Sequence, residues 1–509
     1  MRSDPPNILI IQADQLAANY LGAYGNAIAD TPHIDALAAR SAVFESAYTN
    51  FPLCAPSRFS MMSGQLASGI EAYDNGAEFP SSIPTFNHYL RHQGYQTCLV
   101  GKMHFVGADQ LHGFEQRLTT DIYPADFGWT GDWTEARPEF GNDIVTFTDA
   151  GVCLRNVQLE YDDEVRHRAR RKLYDLARGQ DERPFMLFTS FTHPHDPFQC
   201  RPEHWARYRH EDIDMPVVNT AQADMDPYSL RLAIQYGIHG NPPTEAQTRI
   251  ARHAYYGSVS YIDDIVGELM TVLEETGLAD NTIVILTTDH GEMLGEHGLW
   301  YKKSFFEEAC RIPLIMAVPG ATPRRIAANV SLVDLLPTLL QMSGDTNLNQ
   351  LIEPVSGHGL WDLITGSSSQ HTPPVYAENL AEGATTALLM VKHHQLKYIY
   401  SAVDPEQLFD LATDPHEQTN QADNPEYAEA KSQLAALVQQ RWDATALSDA
   451  IQKSQRRRIF LRQVLGPSMS GAWEFQPADE LEQHCLRADR VYSNWAYEGL
   501  VGFQVPEES

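Results

Sequence analysis

Thr282-Ile-Val-Ile-Leu-Thr-Thr-Asp-His-Gly-Glu292 joins a short apolar run, Thr282–Thr287, to the ionisable groups Asp289, His290 and Glu292. The run is too short for a helix and rich in Ile, Val and Leu. That composition suits a strand covered on both faces, as in a parallel sheet. The same pairing recurs three times. Ile8–Ile11 precedes Asp14, Thr97–Val100 precedes Gly101-Lys102-Met103-His104, and Phe185–Phe191 precedes His193-Pro194-His195-Asp196. Ligands bind at the carboxyl ends of strands in open α/β sheets. Four strand ends delivering Asp, Lys and His to one rim predict an active site there.

Helical patterns lie between these runs. Thr31–Arg40 carries a cap residue and a proline in its first turn, and Glu245 to about Thr276 is a long amphipathic stretch ended by Gly277. The alternation predicts a doubly wound α/β domain over residues 1–370. Beyond it, Val375–Glu378, Ala387–Lys392, Leu396–Tyr400 and Gln407–Asp410 read as four short strands, with a helix near Ala428–Trp442. Residues 371–450 are therefore expected to form a small α+β subdomain with an antiparallel sheet. A tail, 451–509, carries Trp473, Phe475, Tyr492, Trp495 and Tyr497. So many large apolar side chains must bury against something, which predicts a role in homo-oligomer assembly (dimer or tetramer) and in pocket closure.

The 509 residues are long enough for a large domain plus a smaller one, and 43% hydrophobic with 20% charged residues is ordinary globular composition. The charge balance is not ordinary. Sixty-seven acidic against 37 basic residues give a formal −30. Such a field repels nucleic acid and anionic lipid, attracts cations mildly, and admits an anionic substrate only through a local basic pocket. Six cysteines stand without paired spacing, so no disulfide framework or zinc site is expected. No run reaches the ~18 apolar residues of a membrane span, and no signal-like segment precedes Asn7. A cytoplasmic protein without nucleic-acid or membrane partners is the expectation.

The sharpest motif is Cys54-Ala55-Pro56-Ser57-Arg58, continuing to Gly64. Proline two residues after Cys54 suits the first turn of a helix and places Cys54 at its N-terminus, where free N–H groups and the dipole favour an anion. Arg58 follows one turn later on nearly the same face. Chance would produce Cys-x-Pro-Ser-Arg on the order of once in a thousand chains of this composition.

This motif resembles the signature of the formylglycine-dependent (type I) sulfatases, in which the cysteine is oxidised to formylglycine. Gly94–His104 looks like that family's second signature, and Leu408-Phe-Asp-Leu-x-x-Asp414-Pro415 is similar to its C-terminal region. The resemblance covers roughly residues 7–420. It implies an alkaline-phosphatase-like fold with a doubly wound mixed sheet. Gly101–Gly107, Thr120–Trp129 and Trp473–Pro477 look closer still to choline sulfatases.

The resemblance also implies roles. Formylglycine at 54, installed by a formylglycine-generating or equivalent maturase, hydrates to a diol whose one hydroxyl attacks sulfur. His104 would take a proton from the other as sulfate is expelled. His193 and Lys302 would bind sulfate and protonate the leaving oxygen, with His195 beside them less clearly assigned. Arg58 and Lys102 would hold the diol. Asp14, residue 54, Asp289 and His290 would bind a divalent metal, calcium or manganese. Ala13 and His290 depart from the commoner pattern of the family, which has Asp and Asn there, and an imidazole favours manganese over an all-oxygen calcium site.

The substrate expected is a small sulfate ester, with choline sulfate favoured. Its trimethylammonium group needs aromatic faces and a nearby carboxylate, for which Trp129 and Glu382 are the candidates. Aryl sulfates, or phosphate and phosphonate esters, remain the alternatives on the same scaffold. A non-catalytic relative should have lost some of these residues, and all are present.

Overall fold

A computed structural model describes residues 5–134, 144–344, 351–367, 373–381, 383–465 and 504. Its centre is an eight-stranded mixed sheet in the order β10-β2-β9-β8-β1-β6-β3-β4. The strands are β1 (Asn7–Ala13), β2 (Ala42–Tyr48), β3 (Gln96–Gly101), β4 (Gln116–Arg117), β6 (Phe185–Ser190), β8 (Thr282–Thr288), β9 (Arg311–Ala317) and β10 (Arg324–Ser331). A two-stranded ladder joins β5 (Gly151–Val152) to β7 (Gln199–Cys200). The four runs singled out in the sequence become β8, β1, β6 and β3. These are consecutive neighbours, and every pairing among them is parallel. Their carboxyl ends therefore open on one edge, side by side. Only β9 runs antiparallel to β8 and β2.

Burial explains the continuous apolar runs. Every residue of β6 and β8 is buried, and helices cover the sheet. Among them is Glu245–Glu275, opened by a Thr244/Gln247 capping box and followed by Gly277 at φ +70°. The expected helix at Thr31–Arg40 is Pro32–Ala39, with proline in the first turn.

One close approach fixes the strand ends. Gly101 sits at φ +110°, and a Cβ there would lie 1.8 Å from the Ser190 carbonyl oxygen. Only glycine lets β3 and β6 stay this near at the rim, where the Lys102 N–H donates to the same carbonyl at 3.1 Å.

The smaller unit is an antiparallel sheet, β11 (Val375–Asn379), β12 (Leu388–His393), β13 (Leu396–Ser401) and β14 (Gln407–Asp410), in that order. The helix Ala428–Arg441 packs on it, and a further helix, Ala444–Leu465, runs unbroken through residues 450 and 451, where the sequence reading ended the subdomain. The tail aromatics Trp473, Phe475, Tyr492, Trp495 and Tyr497, and Glu382, lie outside the described residues. Among the described residues no helix is long and apolar enough to cross a membrane.

Candidate active site

Cys54 opens the helix Cys54–Ser63, all of whose residues are buried, and Gly64 closes it in the left-handed region. The helix points its N-terminus at the ends of β1 and β8. Arg58, one turn on, is fully buried. Its Nε donates to Asp289 Oδ2 at 2.8 Å, Nη2 to Asp14 Oδ2 at 2.9 Å, and Nη1 to Lys102 O and Ser190 Oγ, both at 2.8 Å. Arg58 thus grips the two carboxylates beside residue 54. A guanidinium with a rigid fork suits this task; a lysine could not reach both acids.

Asp14, Cys54, Asp289 and His290 place one ligand atom each within 4.8 Å of one another, all buried. The His290 Nδ1 lies 2.9 Å from Gly291 O, which assigns it the proton and leaves Nε2 facing the cluster, 3.3 Å from Cys54 Sγ. Burial holds this imidazole below its usual range, so it stays neutral, as a ligand must. Burial works to raise Asp14, but Lys102, His195 and Arg58 overcome it and keep the carboxylate well below the usual range. Two carboxylates, one neutral imidazole and the side chain of residue 54 form a donor set that fits a divalent ion. Burial and the Asp14 charge push the unmodified Cys54 thiol up to about 11. A thiol in that state is a poor nucleophile.

Lys102 pairs with Asp14 and lies 3.8 Å from the centroid of the Tyr123 ring. His104 adopts φ +61°, and its N–H donates to Asp121 Oδ2 at 2.7 Å. Among the described residues neither of its ring nitrogens has a hydrogen-bond partner, and burial together with Lys102 holds the ring well below its usual range. A buried neutral imidazole with a free lone pair is equipped to accept a proton. Lys302 Nζ reaches His195 Nε2 at 2.6 Å and Gln15 Oε1 at 2.5 Å. The His193 carbonyl accepts from the Asp14 N–H at 3.2 Å, its Nδ1 is bonded to Asp162, and its Nε2 has no partner among the described residues. Trp129 is a wall residue: its ring centroid stands 5.3 Å from that of His104 and 5.1 Å from that of Tyr123.

The six catalytic candidates, the four metal candidates and Trp129 all converge here. Sequence reasoning missed the residues that hold them. Asp162, Asp121, Gln15, Ser190 and Tyr123 each touch one or more of the candidates, and Asp196 accepts from Gln15. Gln15 directly follows Asp14, and Asp196 directly follows His195, so proximity to a motif was the available signal for both.

The centre combines buried basic side chains, an acidic ligand cluster and buried imidazoles, a set suited to an anionic ester. A sulfatase family model matches residues 6–344, and an N-sulphoglucosamine sulphohydrolase C-terminal model matches residues 295–443. The chain belongs to the sulfatase family and is a sulfuric ester hydrolase. It is 42% identical over 497 residues to a choline-sulfatase of Rhizobium meliloti, covering 96% of each chain. It is 28% identical to an arylsulfatase of Clostridium perfringens, covering 85% of this chain and 93% of the relative. Among solved structures, the phosphonate monoester hydrolase of Agrobacterium radiobacter superposes with a TM-score of 0.68 at 20% identity, covering 85% and 94%. That likeness bears on the fold, which is the alkaline-phosphatase-like one expected.

Proposed function

We propose that this sulfatase hydrolyses choline sulfate to choline and sulfate, using formylglycine made from Cys54 by a maturase. The observation that carries the substrate is the 42% identity to a choline-sulfatase over 96% of both chains. Local chemistry supports it. Trp129 offers an aromatic face beside His104, where a trimethylammonium group gains cation–π attraction, and the −30 chain favours a substrate with a cationic end. Glu382 is proposed as the complementary carboxylate.

Asp14, residue 54, Asp289 and His290 would hold the divalent metal, calcium or manganese. When bound, it would supply positive charge to offset the negative charge developing on the ester and on the side chain of residue 54. Formylglycine supplies a nucleophile whose sulfate adduct is released by elimination, without attack of water on sulfur. Lys102 and Lys302 bring two buried cations to the sulfate oxygens. His193, oriented by Asp162, donates a proton to the leaving alcohol oxygen from Nε2. His104 accepts the proton whose loss lets sulfate leave. Arg58 holds the carboxylates of Asp14 and Asp289 in place through charged hydrogen bonds.

The test is a panel of choline sulfate, 4-nitrophenyl sulfate, a phosphate diester and a phosphonate ester, assayed on metal-loaded enzyme. The highest kcat/KM is expected on choline sulfate. A clear preference for the aryl sulfate or the phosphonate would reject the choline assignment, and inactivity on both sulfates would reject the proposed mechanism.

A further inference from the structure

Arg458 ends a run, Arg456-Arg457-Arg458, in the helix Ala444–Leu465. Its side chain is only 5% exposed, and its partner Asp74 is completely buried. Nη1 and Nη2 donate to the two Asp74 oxygens at 2.5 and 2.8 Å, Nη1 also reaches Thr130 Oγ1 at 3.1 Å, and Nε reaches Ser454 Oγ at 3.2 Å. A buried bidentate pair with a third bond across to another loop is costly to desolvate, so it has to serve geometry as much as stability.

The loops it joins both belong to the active site. In Asp74-Asn75-Gly76, Asn75 Oδ1 accepts from the Ala55 N–H at 3.0 Å, in the first turn of the helix that carries Cys54. Gly76 lies under the Trp129–Thr130 peptide, where a Cβ would fall 2.4 Å from the Thr130 nitrogen. The helix Ala444–Leu465 grips the Trp129 loop at two further points. Arg462 Nη1 donates to Gly128 O at 3.1 Å, and Gln455 Oε1 accepts from the Trp133 N–H at 3.1 Å. Backbone or side-chain atoms of residues 128, 130 and 133 are thus all anchored to this one helix.

We propose that Arg458 is a positioning residue for substrate selection: through Asp74 and Thr130 it sets the distance between the Trp129 wall and the nucleophile helix, and so the width of the leaving-group side of the pocket. The inference rests on the sulfate-ester reading but not on choline. Lys102 and His193 follow β3 and β6, and Lys302 is bonded to Gln15 and His195 beyond β1 and β6, so the sulfate-binding groups are held from the sheet and not from this helix. Loss of the clamp should therefore weaken recognition of the alcohol part and spare recognition of sulfate itself.

The experiment uses full-length, metal-loaded enzyme and the paired variant Asp74→Asn with Arg458→Gln, which removes both charges and leaves no buried carboxylate stranded. In folded protein, KM for choline sulfate should rise about tenfold while kcat and the Ki for inorganic sulfate stay within about twofold. Arg458→Lys keeps the charge opposite Asp74 and gives up the fork, so its KM should fall between. Arg457→Ala, whose side chain forms an exposed pair with Glu71, should match the wild type. If the wild type does not turn over choline sulfate, that reading fails, and the same comparison is made with 4-nitrophenyl sulfate. Wild-type KM in both folded Arg458 variants would overturn the proposal. So would KM, kcat and Ki changing together in step with lost thermal stability.

Discussion

Asp162 Oδ2 receives both the Nδ1–H and the main-chain N–H of His193, at 2.7 and 2.9 Å, while Oδ1 takes the Thr192 N–H at 2.8 Å. One buried carboxylate thus fixes the strand end, the ring orientation and the tautomer together. With Nδ1 committed as donor, Nε2 is left as the atom for the proton transfer proposed above.

Asp162→Asn should therefore lower kcat on the order of 10²-fold and change KM little, because the amide can donate to Nδ1 and stabilise the wrong tautomer. Steady-state kinetics on folded protein decides the matter. An unchanged kcat would remove His193 from proton transfer.

Cys54→Ala should abolish turnover, with the protein still folded and its thermal midpoint close to the wild type. Cys54→Ser should be nearly inactive too, because a serine adduct has no aldehyde to collapse to. Intact-mass spectrometry of the wild type should show the sulfur of residue 54 replaced by an aldehyde oxygen. More than a few per cent of wild-type activity in a pure Cys54→Ala sample would end the formylglycine mechanism.

Chelation should inactivate the enzyme, and Asp289→Asn and His290→Ala should each bind less metal by elemental analysis. His290→Asn is the sharper variant. It exchanges a nitrogen donor for an oxygen donor, so calcium should restore activity better than manganese in this variant relative to the wild type. Full metal content in both of the first two variants would refute the ligand assignment.

Two truncations separate the last helix from the tail. A cut after Leu465 keeps Arg458 and should leave folding intact while the homo-oligomer falls apart, as read by size-exclusion with light scattering. A cut at Gln452 also strands Asp74 without its cation and should cost about 3–5 kcal/mol of stability. A chain ending at Leu465 that still assembles would separate the tail from oligomer formation.

The reading of the sequence succeeded where chemistry sits next to uninterrupted apolar runs. β1, β3, β6 and β8 are buried on both faces, so their sequences carry no competing polar pattern. β9 and β10 gave no such sign: β9 contains Pro313, and β10 is Arg-Arg-Ile-Ala-Ala-Asn-Val-Ser, partly exposed at the sheet edge. Asp162 was hidden for a related reason. It sits in Glu160-Tyr-Asp-Asp-Glu164, a stretch that looks like a wet helix face until the fold buries that one acid and leaves its neighbours nearer solvent. Arg458 is the same case with the opposite charge. Helical periodicity shows which residues share a face, but which single turn meets another loop is a tertiary fact.

The placement of charge has a consequence for the end of the catalytic cycle. Arg58, Lys102 and Lys302 are all sealed inside, at most 2% exposed, in a chain whose net charge is −30. A sulfate dianion released from that cationic interior meets an increasingly negative potential as it moves outward, and once past the rim it is driven away. Recapture from bulk solution has to climb the same slope. The molecule is thereby biased against its own anionic product, and added salt should erode that bias, strengthening inhibition by free sulfate as the acidic shell is screened.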